Sequence, residues 1–334
     1  MNLFIQVPCL NEEETLPLVL DSMPKSIPGV DRISILVIDD GSTDETVEVA
    51  RDHGVTHIIR HTSTMGLARS FRDGVEYALA HGADVVVNTD GDNQYPQEKI
   101  ADLVGPILRG EADIVIGDRQ TRSIRHFSWF KRLMQRFGSW VVNRAARTRL
   151  PDAASGFRAY SKYALYRLNI VTTFSYCMET IIQAGNKRIA VGSVPIETNP
   201  KTRESRLFSN VFEHMFKSGQ AILRSYVMYR PWTVFGWLSV LFGLAALFPF
   251  VRFVVLRLRG DEGNHLQSLI LGGAMIVATL LTIALGVLSD LMRTNRILHE
   301  EQLERVKALQ YGPAHPAADG VRVAKRSRAR RKPS

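Results

Sequence analysis

Two stretches, Trp232 to Val251 and Leu266 to Ser289, contain no charged residue. A helix crossing the hydrocarbon of a bilayer needs about 20 such positions, so each is long enough to span. The alternative is two helices buried on every side in a soluble protein, and few soluble helices are apolar all round. Gly236, Gly243, Gly272, Gly273 and Gly286 suit close packing of membrane helices, and Arg252 and Arg257 can snorkel at the far end. The link from Arg257 to His265 is short, which predicts a hairpin with both flanks on one side. Near the spans, Lys217, Arg224, Arg230, Arg293, Arg296, Arg305 and Lys307 outnumber Arg257 and Arg259. By the positive-inside rule the flanks, both termini and the N-terminal domain are expected on the cytoplasmic side of the cell (plasma) membrane.

Composition limits the remainder. With 334 residues, 45% of them hydrophobic and 22% charged, the chain is neither a disordered tail protein nor a small disulfide scaffold. Cys9 and Cys177 fit neither a disulfide framework nor a structural zinc site, which predicts a reducing compartment. The net charge of +9 does not point to nucleic acid, because residues 312–334 hold seven Lys or Arg against Asp319 alone. Met1 to Pro8 lacks the basic start and apolar length of a signal peptide and is expected to be a first strand.

Residues 1–120 alternate short β-branched runs (Leu3–Val7, Ile33–Ile38, Thr56–Arg60, Asp84–Thr89, Asp113–Ile116) with helical patterns near 12–23, 44–53, 67–81 and 96–109. This rhythm predicts a largely parallel sheet with helices on both faces. Ligands of such sheets bind beyond the carboxyl ends of the strands. There the sequence has Asp39-Asp40-Gly41-Ser42 and Asp90-Gly91-Asp92-Asn93-Gln94. Residues 122–147 follow as a basic, aromatic-interleaved helix, and Pro151 to Arg158 begins like a turn. From Leu207 to Tyr229 apolar residues recur at helical spacing, predicting an amphipathic helix either in the membrane interface plane or on a core.

In an extended segment Asp90 and Asp92 point to one side, with Gln94 behind them, so three oxygen ligands converge. A hard cation such as Mg²⁺ or Mn²⁺ takes one or two carboxylates plus substrate phosphates, which predicts a diphosphate substrate held through a divalent metal. Asp39 and Asp40 are candidates for ribose or base contacts, the alternative being service to the turn and the next helix. Glu12 is divided in the same way between a helix first turn and a nucleotide contact.

Val7-Pro8-Cys9-Leu10-Asn11-Glu12, Val37 to Ser42, Gly66-Leu67-Ala68, Asp90 to Gln94, Ile116-Gly117-Asp118-Arg119 and Ser155-Gly156-Phe157-Arg158 occur in this order. Together they resemble the family 2 glycosyltransferases of the GT-A fold, specifically the dolichol-phosphate mannose synthase-like and polyprenyl-phosphate glycosyltransferase group, over residues 1–210. The resemblance implies a Rossmann-like GT-A domain (1–206), an interfacial helix (207–230), transmembrane helices at 231–256 and 266–289, and a cytoplasmic helix with a basic tail (290–334). It implies inverting transfer of a sugar from a nucleotide-diphosphate sugar, GDP-mannose or a UDP-sugar, to polyprenyl or dolichyl phosphate. Asp90, Asp92 and Gln94 match metal and diphosphate ligands. Pro8, Glu12, Asp39, Asp40 and Gly91 match the nucleotide-sugar site, and Arg119 the acceptor phosphate contact. Lys131 and Arg132 fall where the group has basic residues facing that phosphate. Gln135 stands at an acceptor phosphate contact where a serine is usual, and Thr202 to Arg206 replaces the usual Arg-Gly-Glu-Ser-Lys, the segment in which the resemblance gives Lys201, Arg203 and Arg206 the role of closing over the donor. The membrane hairpin is compatible with a homo-oligomer.

A phosphate monoester is mostly ionised near neutral pH, so the nucleophile needs no dedicated base. Catalysis then requires cations that hold two like-charged reactants together and stabilise the departing diphosphate. Glu179 is a candidate base or a packing acid, and His126 and His214 are expected at the interface. Rival readings are a transferase extending a lipid-linked saccharide or polysaccharide, a nucleotidyltransferase, and an inactive GT-A binding protein.

Overall fold

The computed structural model describes residues 1–120, 150–152, 154–171, 176–200, 227–260 and 266–313. The predicted runs form strands β1 (Asn2–Cys9), β2 (Arg32–Asp39), β3 (His57–Arg60), β4 (Val85–Asn88) and β5 (Ile114–Asp118). Between them lie α1 (Leu16–Asp21), α2 (Thr46–Asp52), α3 (Leu67–Ala80) and α4 (Ile100–Leu108). Two strands were not foreseen, β6 (Arg158–Ser161) and β7 (Val191–Pro195), and between them lie α5 (Lys162–Arg167) and α6 (Tyr176–Asn186). The seven strands make one sheet in the order β3-β2-β1-β4-β6-β5-β7. All neighbours are parallel except β6, which runs antiparallel to both β4 and β5.

Alternation along β1 explains why the sheet is covered twice. Leu3, Ile5 and Val7 join one apolar cluster with Leu16, Val37, Leu103 and Val104. Phe4 joins the other, with Ile38, Phe71, Leu79 and Tyr160. Side chains of successive strand residues leave opposite faces, so both faces are core and the strands read as near-continuous apolar runs. The chain winds outward from β1 through β2 to β3, then crosses back to β4 on the other side of β1. Ligand crevices form at such a reversal, outside the carboxyl ends of the strands.

Two long helices complete the described residues, α7 (Pro231–Leu258) and α8 (Leu266–Tyr311). Both are long and apolar enough to cross a membrane, and only 11% and 17% of their most apolar windows are buried. Trp237, Phe248 and Leu258 are 74%, 72% and 82% exposed, which disagrees with the buried-core alternative and makes the two helices candidate membrane spans. The glycines divide: Gly272 lies against the Phe250 ring and Gly286 against Trp232 and Phe235, whereas Gly236 and Gly273 face open space. The expected amphipathic helix at 207–230 falls almost wholly outside the described residues, as do the basic helix at 122–147 and the tail.

Helix α8 does not stop at Ser289. Its 46 residues rise about 69 Å at roughly 1.5 Å each, more than twice the hydrocarbon thickness of about 30 Å. The far half docks on the sheet domain through charge pairs. Glu300 meets Lys187 at 2.8 Å and Glu304 meets Arg167 at 3.0 Å, while Arg296, one turn before Glu300 on the same helix, braces it at 2.7 Å. Lys307 Nζ donates to the carbonyls of Leu165, Tyr166 and Leu168 at 3.3, 3.4 and 3.1 Å. These are the partnerless carbonyls at the end of α5, and a cation there also complements the helix dipole. Burial pushes the Lys307 ammonium down to about 8. Ala308 and Tyr311 pack on the apolar cluster that contains Phe71. Glu300→Lys would set a cation among Arg296 and Lys187 and weaken the docking by about 3 kcal/mol. Hydrogen exchange over residues 296–311 should then quicken by about two orders of magnitude with 266–289 unchanged; unaltered exchange would mean the ion pairs do not hold this helix.

Candidate functional site

The acidic turn after β4 is built by its neighbours. Asn93 takes φ 57°, so residues 90–94 turn rather than run extended, and the strand-like alternation expected of Asp90, Asp92 and Gln94 does not apply. Instead Gln94 folds back: its backbone N–H donates to Asp92 Oδ1 at 3.1 Å and its Nε2 to Asp92 Oδ2 at 2.8 Å. Gln94 therefore braces Asp92. Asn199 ties the turn from outside, its N–H donating to the Gln94 carbonyl and its Nδ2 to the Asn93 carbonyl, both at 3.0 Å. Gly91 is required by crowding, since a Cβ there would lie 2.9 Å from Cys9 Sγ and 3.3 Å from Glu12 Cγ. Thr15 Oγ1 bonds the Gly91 carbonyl at 2.8 Å and Glu12 Oε2 at 2.7 Å, which joins the segment after β1 to the turn after β4. Pro8 lies buried in β1, paired opposite Ile38.

Charge is concentrated here. Burial, then Asp92 and Glu12, push the Asp90 carboxyl up to about 7, and Arg119 opposes them. Burial and the neighbouring acids push the Cys9 thiol well above its ordinary value, so it is a neutral packing group. Among the described residues no group of three or more His, Cys, Asp or Glu side chains forms a metal cage. Two mutually repelling carboxylates with only oxygen donors do suit a hard divalent cation whose remaining ligands come from phosphate and water.

Asp39 and Asp40, adjacent in sequence, have different surroundings. Asp40 accepts from His61 Nδ1 at 2.7 Å and from the N–H groups of Met65 and Gly66 at 2.9 and 2.8 Å. It serves the loop that leads into α3, where Gly66 takes φ 90°, a backbone that favours glycine. Asp39 Oδ1 accepts from the Ser42 N–H at 2.9 Å. Its Oδ2 is fully buried without a hydrogen bond, while Arg60 Nε approaches it to 3.3 Å. Beside it a pocket of about 310 Å³ is lined by Gly41, Ser42, Thr43, Arg60, His61 and Thr62. Of the two acids, Asp39 is the one with an oxygen that makes no hydrogen bond, held 3.3 Å from Arg60 Nε, and Arg60 in turn lines the pocket.

At the end of β5, Arg119 is gripped by Asp152, Nε to Oδ2 at 2.7 Å and Nη2 to Oδ1 at 3.0 Å. Burial alone would raise the Asp152 carboxyl, but the hydrogen bonds and charge of Arg119 hold it below the usual range. Arg158 opens β6 instead of closing a turn. Its fully buried guanidinium donates to the Ser155 and Cys177 carbonyls at 2.6 and 2.8 Å and to Thr180 Oγ1 at 2.9 Å. Gly156 is held from three sides: its N–H donates to Tyr95 Oη at 3.0 Å, and its carbonyl accepts from Asn88 Nδ2 and Tyr176 Oη at 3.2 Å each. A Cβ on Gly156 would stand 3.4 Å from Asp90 Oδ2, so this segment borders the acidic turn. Glu179 accepts from the Val171 N–H at 3.2 Å and lies 4.0 Å from Arg296, the surroundings of a packing acid under α8. Sequence reasoning missed Tyr95, Asn88, Asp152 and Asn199; Asn88 and Tyr95 flank the acidic motif closely enough to have been noticed. Lys131, Arg132, Gln135, Lys201, Arg203, Arg206, His126 and His214 lie outside the described residues.

Comparison with known proteins fits this architecture. Residues 4–168 match Glycosyl transferase family 2. The polyprenol monophosphomannose synthase of Mycolicibacterium smegmatis is 29% identical over 224 residues, which cover 63% of this chain and 83% of that protein. An uncharacterized glycosyltransferase of Mycobacterium bovis is 30% identical over 199 residues, 59% of this chain and 85% of that protein. Among solved structures, glucosyl-3-phosphoglycerate synthase of Mycobacterium tuberculosis, determined with Mn²⁺, UDP and glucosyl-3-phosphoglycerate, superposes with a TM-score of 0.52 at 20% identity, covering 68% of this chain and 79% of that one. That likeness is one of fold alone, and the sequence matches carry it further: this chain belongs to glycosyl transferase family 2 and is a glycosyltransferase.

Proposed function

We propose that this glycosyltransferase moves a sugar, with inversion, from a nucleotide-diphosphate sugar to a polyprenyl or dolichyl phosphate at the cytoplasmic face of the membrane. The observation that carries the reading is the union, in one chain, of an acidic turn and Arg119 at the ends of β4 and β5, on either side of β6, with two outward-facing apolar helices. An acceptor with an anionic head and a long apolar tail matches both halves. The name of the mycobacterial relative, a polyprenol monophosphomannose synthase, supports the same acceptor class.

In this reading Asp39, with Pro8 and Glu12 nearby, receives the nucleoside, and Asp90, Gly91 and Asp92 face its diphosphate. Asp90 and Asp92 would hold Mg²⁺ or Mn²⁺, with Gln94 bracing Asp92. Such a cation neutralises charge on the leaving diphosphate. Arg119 suits the acceptor phosphate because its planar fork binds oxyanions at two points, and the sequence adds Lys131, Arg132 and Gln135 to that subsite and Arg203 and Arg206 to the donor. The acceptor oxygen is already anionic near neutral pH, so the protein need only align it with the anomeric carbon and screen two negative reactants from each other. The basic residues flanking the spans argue for the cytoplasmic face, with both termini inside.

The test is to incubate the purified chain with undecaprenyl phosphate and a panel of radiolabelled GDP- and UDP-sugars, then extract with organic solvent. One donor should label the organic phase, and only when lipid phosphate is present. Label passing into a lengthening saccharide would favour a chain-extending transferase, and no turnover of any donor would favour an inactive binding protein.

A further inference from the structure

The grip of Asp152 on Arg119 has a direction. A guanidinium presents five N–H donors in one plane. Asp152 takes the edge formed by Nε and Nη2, at 2.7 and 3.0 Å, so planarity turns Nη1 and the outer hydrogen of Nη2 away from Asp152. Asp152 is itself fixed, 4% exposed, with Oδ1 accepting from the Ala154 N–H at 3.2 Å and Oδ2 from the Arg119 N–H at 3.4 Å. The Arg119 side chain remains 24% exposed, and Gly156, four residues after Asp152, borders the acidic turn, since a Cβ there would stand 3.4 Å from Asp90 Oδ2, so the pair lies beside that turn. Stability alone does not call for such a pair, since burying two charges costs about as much as their attraction returns.

We infer that Asp152 is a positioning residue for the acceptor: it clamps one edge of the Arg119 guanidinium so that the opposite edge is held ready for the phosphate monoester of the lipid. A flexible arginine in this place would lose side-chain freedom on each binding event, and the clamp removes that loss in advance. The inference rests on the acceptor reading given above and deepens it.

A double-mutant cycle on the full chain in detergent tests it, with undecaprenyl phosphate as acceptor and the donor that labels lipid in the panel. Asp152→Asn keeps the size of the side chain and an oxygen for Ala154. It should raise the acceptor KM by about 10- to 100-fold while the donor KM changes by less than about twofold. Arg119→Ala should raise the acceptor KM further, and adding Asp152→Asn to it should do nothing more, because a group acting through Arg119 has no effect without it. Asp152→Glu, which retains the charge, should fall between wild type and Asp152→Asn. Multiplying effects in the double variant, or equal rises in both KM values, would overturn the positioning role while leaving the acceptor reading intact. A wild-type chain that labels no lipid would overturn both together.

Discussion

Asp92→Ala should lower the rate of lipid-linked product formation by about 100-fold or more without lowering the thermal midpoint. The two effects have one origin. Asp90 and Asp92 are close enough that Asp92 helps push the Asp90 carboxyl up to about 7, after burial. Two such groups held together without a cation repel, so removing one relieves strain in the resting protein. With donor bound, the same substitution removes an oxygen ligand and a charge from the side facing the diphosphate. Wild-type activity should vanish in excess chelator and return with Mg²⁺ or Mn²⁺, whereas the variant should not recover. An Asp92→Ala variant that turns over at the undisturbed wild-type rate, and keeps that rate in excess chelator, would sink the assignment of Asp90 and Asp92. A sharp fall in its midpoint would instead make Asp92 a structural acid, held by Gln94 for the sake of the turn.

What could be read in the sequence was whatever repeats with a period or sits beside its partner. Val85-Val86-Val87 is legible as a buried strand because both faces of the sheet need it. β6 is not, because Arg158-Ala159-Tyr160-Ser161 opens with a charged residue whose burial depends on carbonyls at Ser155 and Cys177. β7 is short, partly exposed and holds Gly192 and Pro195, so its pattern resembles a loop. The acids of the site were legible as residue types at strand ends, yet their individual roles were not. Asp39 and Asp40 are told apart by Ser42 and Arg60 around the first and the loop after β3 around the second, and Arg119 meets Asp152 across 33 residues of chain. The end of the apolar run at Ser289 divides a membrane span from a separate cytoplasmic helix in the sequence because charge returns at Asp290, yet the two are one helix. Hydropathy marks where a bilayer could end, not where hydrogen bonding ends, and no glycine or proline follows Gly286 until Gly312-Pro313. Gly312, at φ 78°, is where a stop signal occurs and where the helix stops.

Replacing Arg158 should reduce stability, though its motif resembles a ligand-binding signature. Its side chain is 0% exposed, and its guanidinium joins the segment before β6 to the first turns of α6 through Ser155, Cys177 and Thr180. Arg158→Met keeps most of the length and removes the donors, leaving the buried Ser155 carbonyl without its guanidinium donor at about 1–3 kcal/mol, while the Cys177 carbonyl keeps its hydrogen bond from Thr180 Oγ1 at 3.1 Å. The methionine recovers part of that, because a guanidinium no longer has to be stripped of water. A net loss of about 1–3 kcal/mol follows, read as a lower midpoint of thermal unfolding for the full chain in detergent. Arg158→Lys should be intermediate, since one ammonium cannot reach along the line from Ser155 to Thr180 as a fork does. The kinetic consequence differs from that of Asp152→Asn. Gly156, held by Tyr95, Asn88 and Tyr176, borders Asp90, so loosening the Ser155 carbonyl disturbs the donor side and the acceptor side together. Both KM values should rise and kcat should fall. Full stability in Arg158→Met with activity lost only toward the lipid phosphate would show instead that Arg158 touches substrate, and that the guanidinium leaves its carbonyl acceptors when substrate arrives.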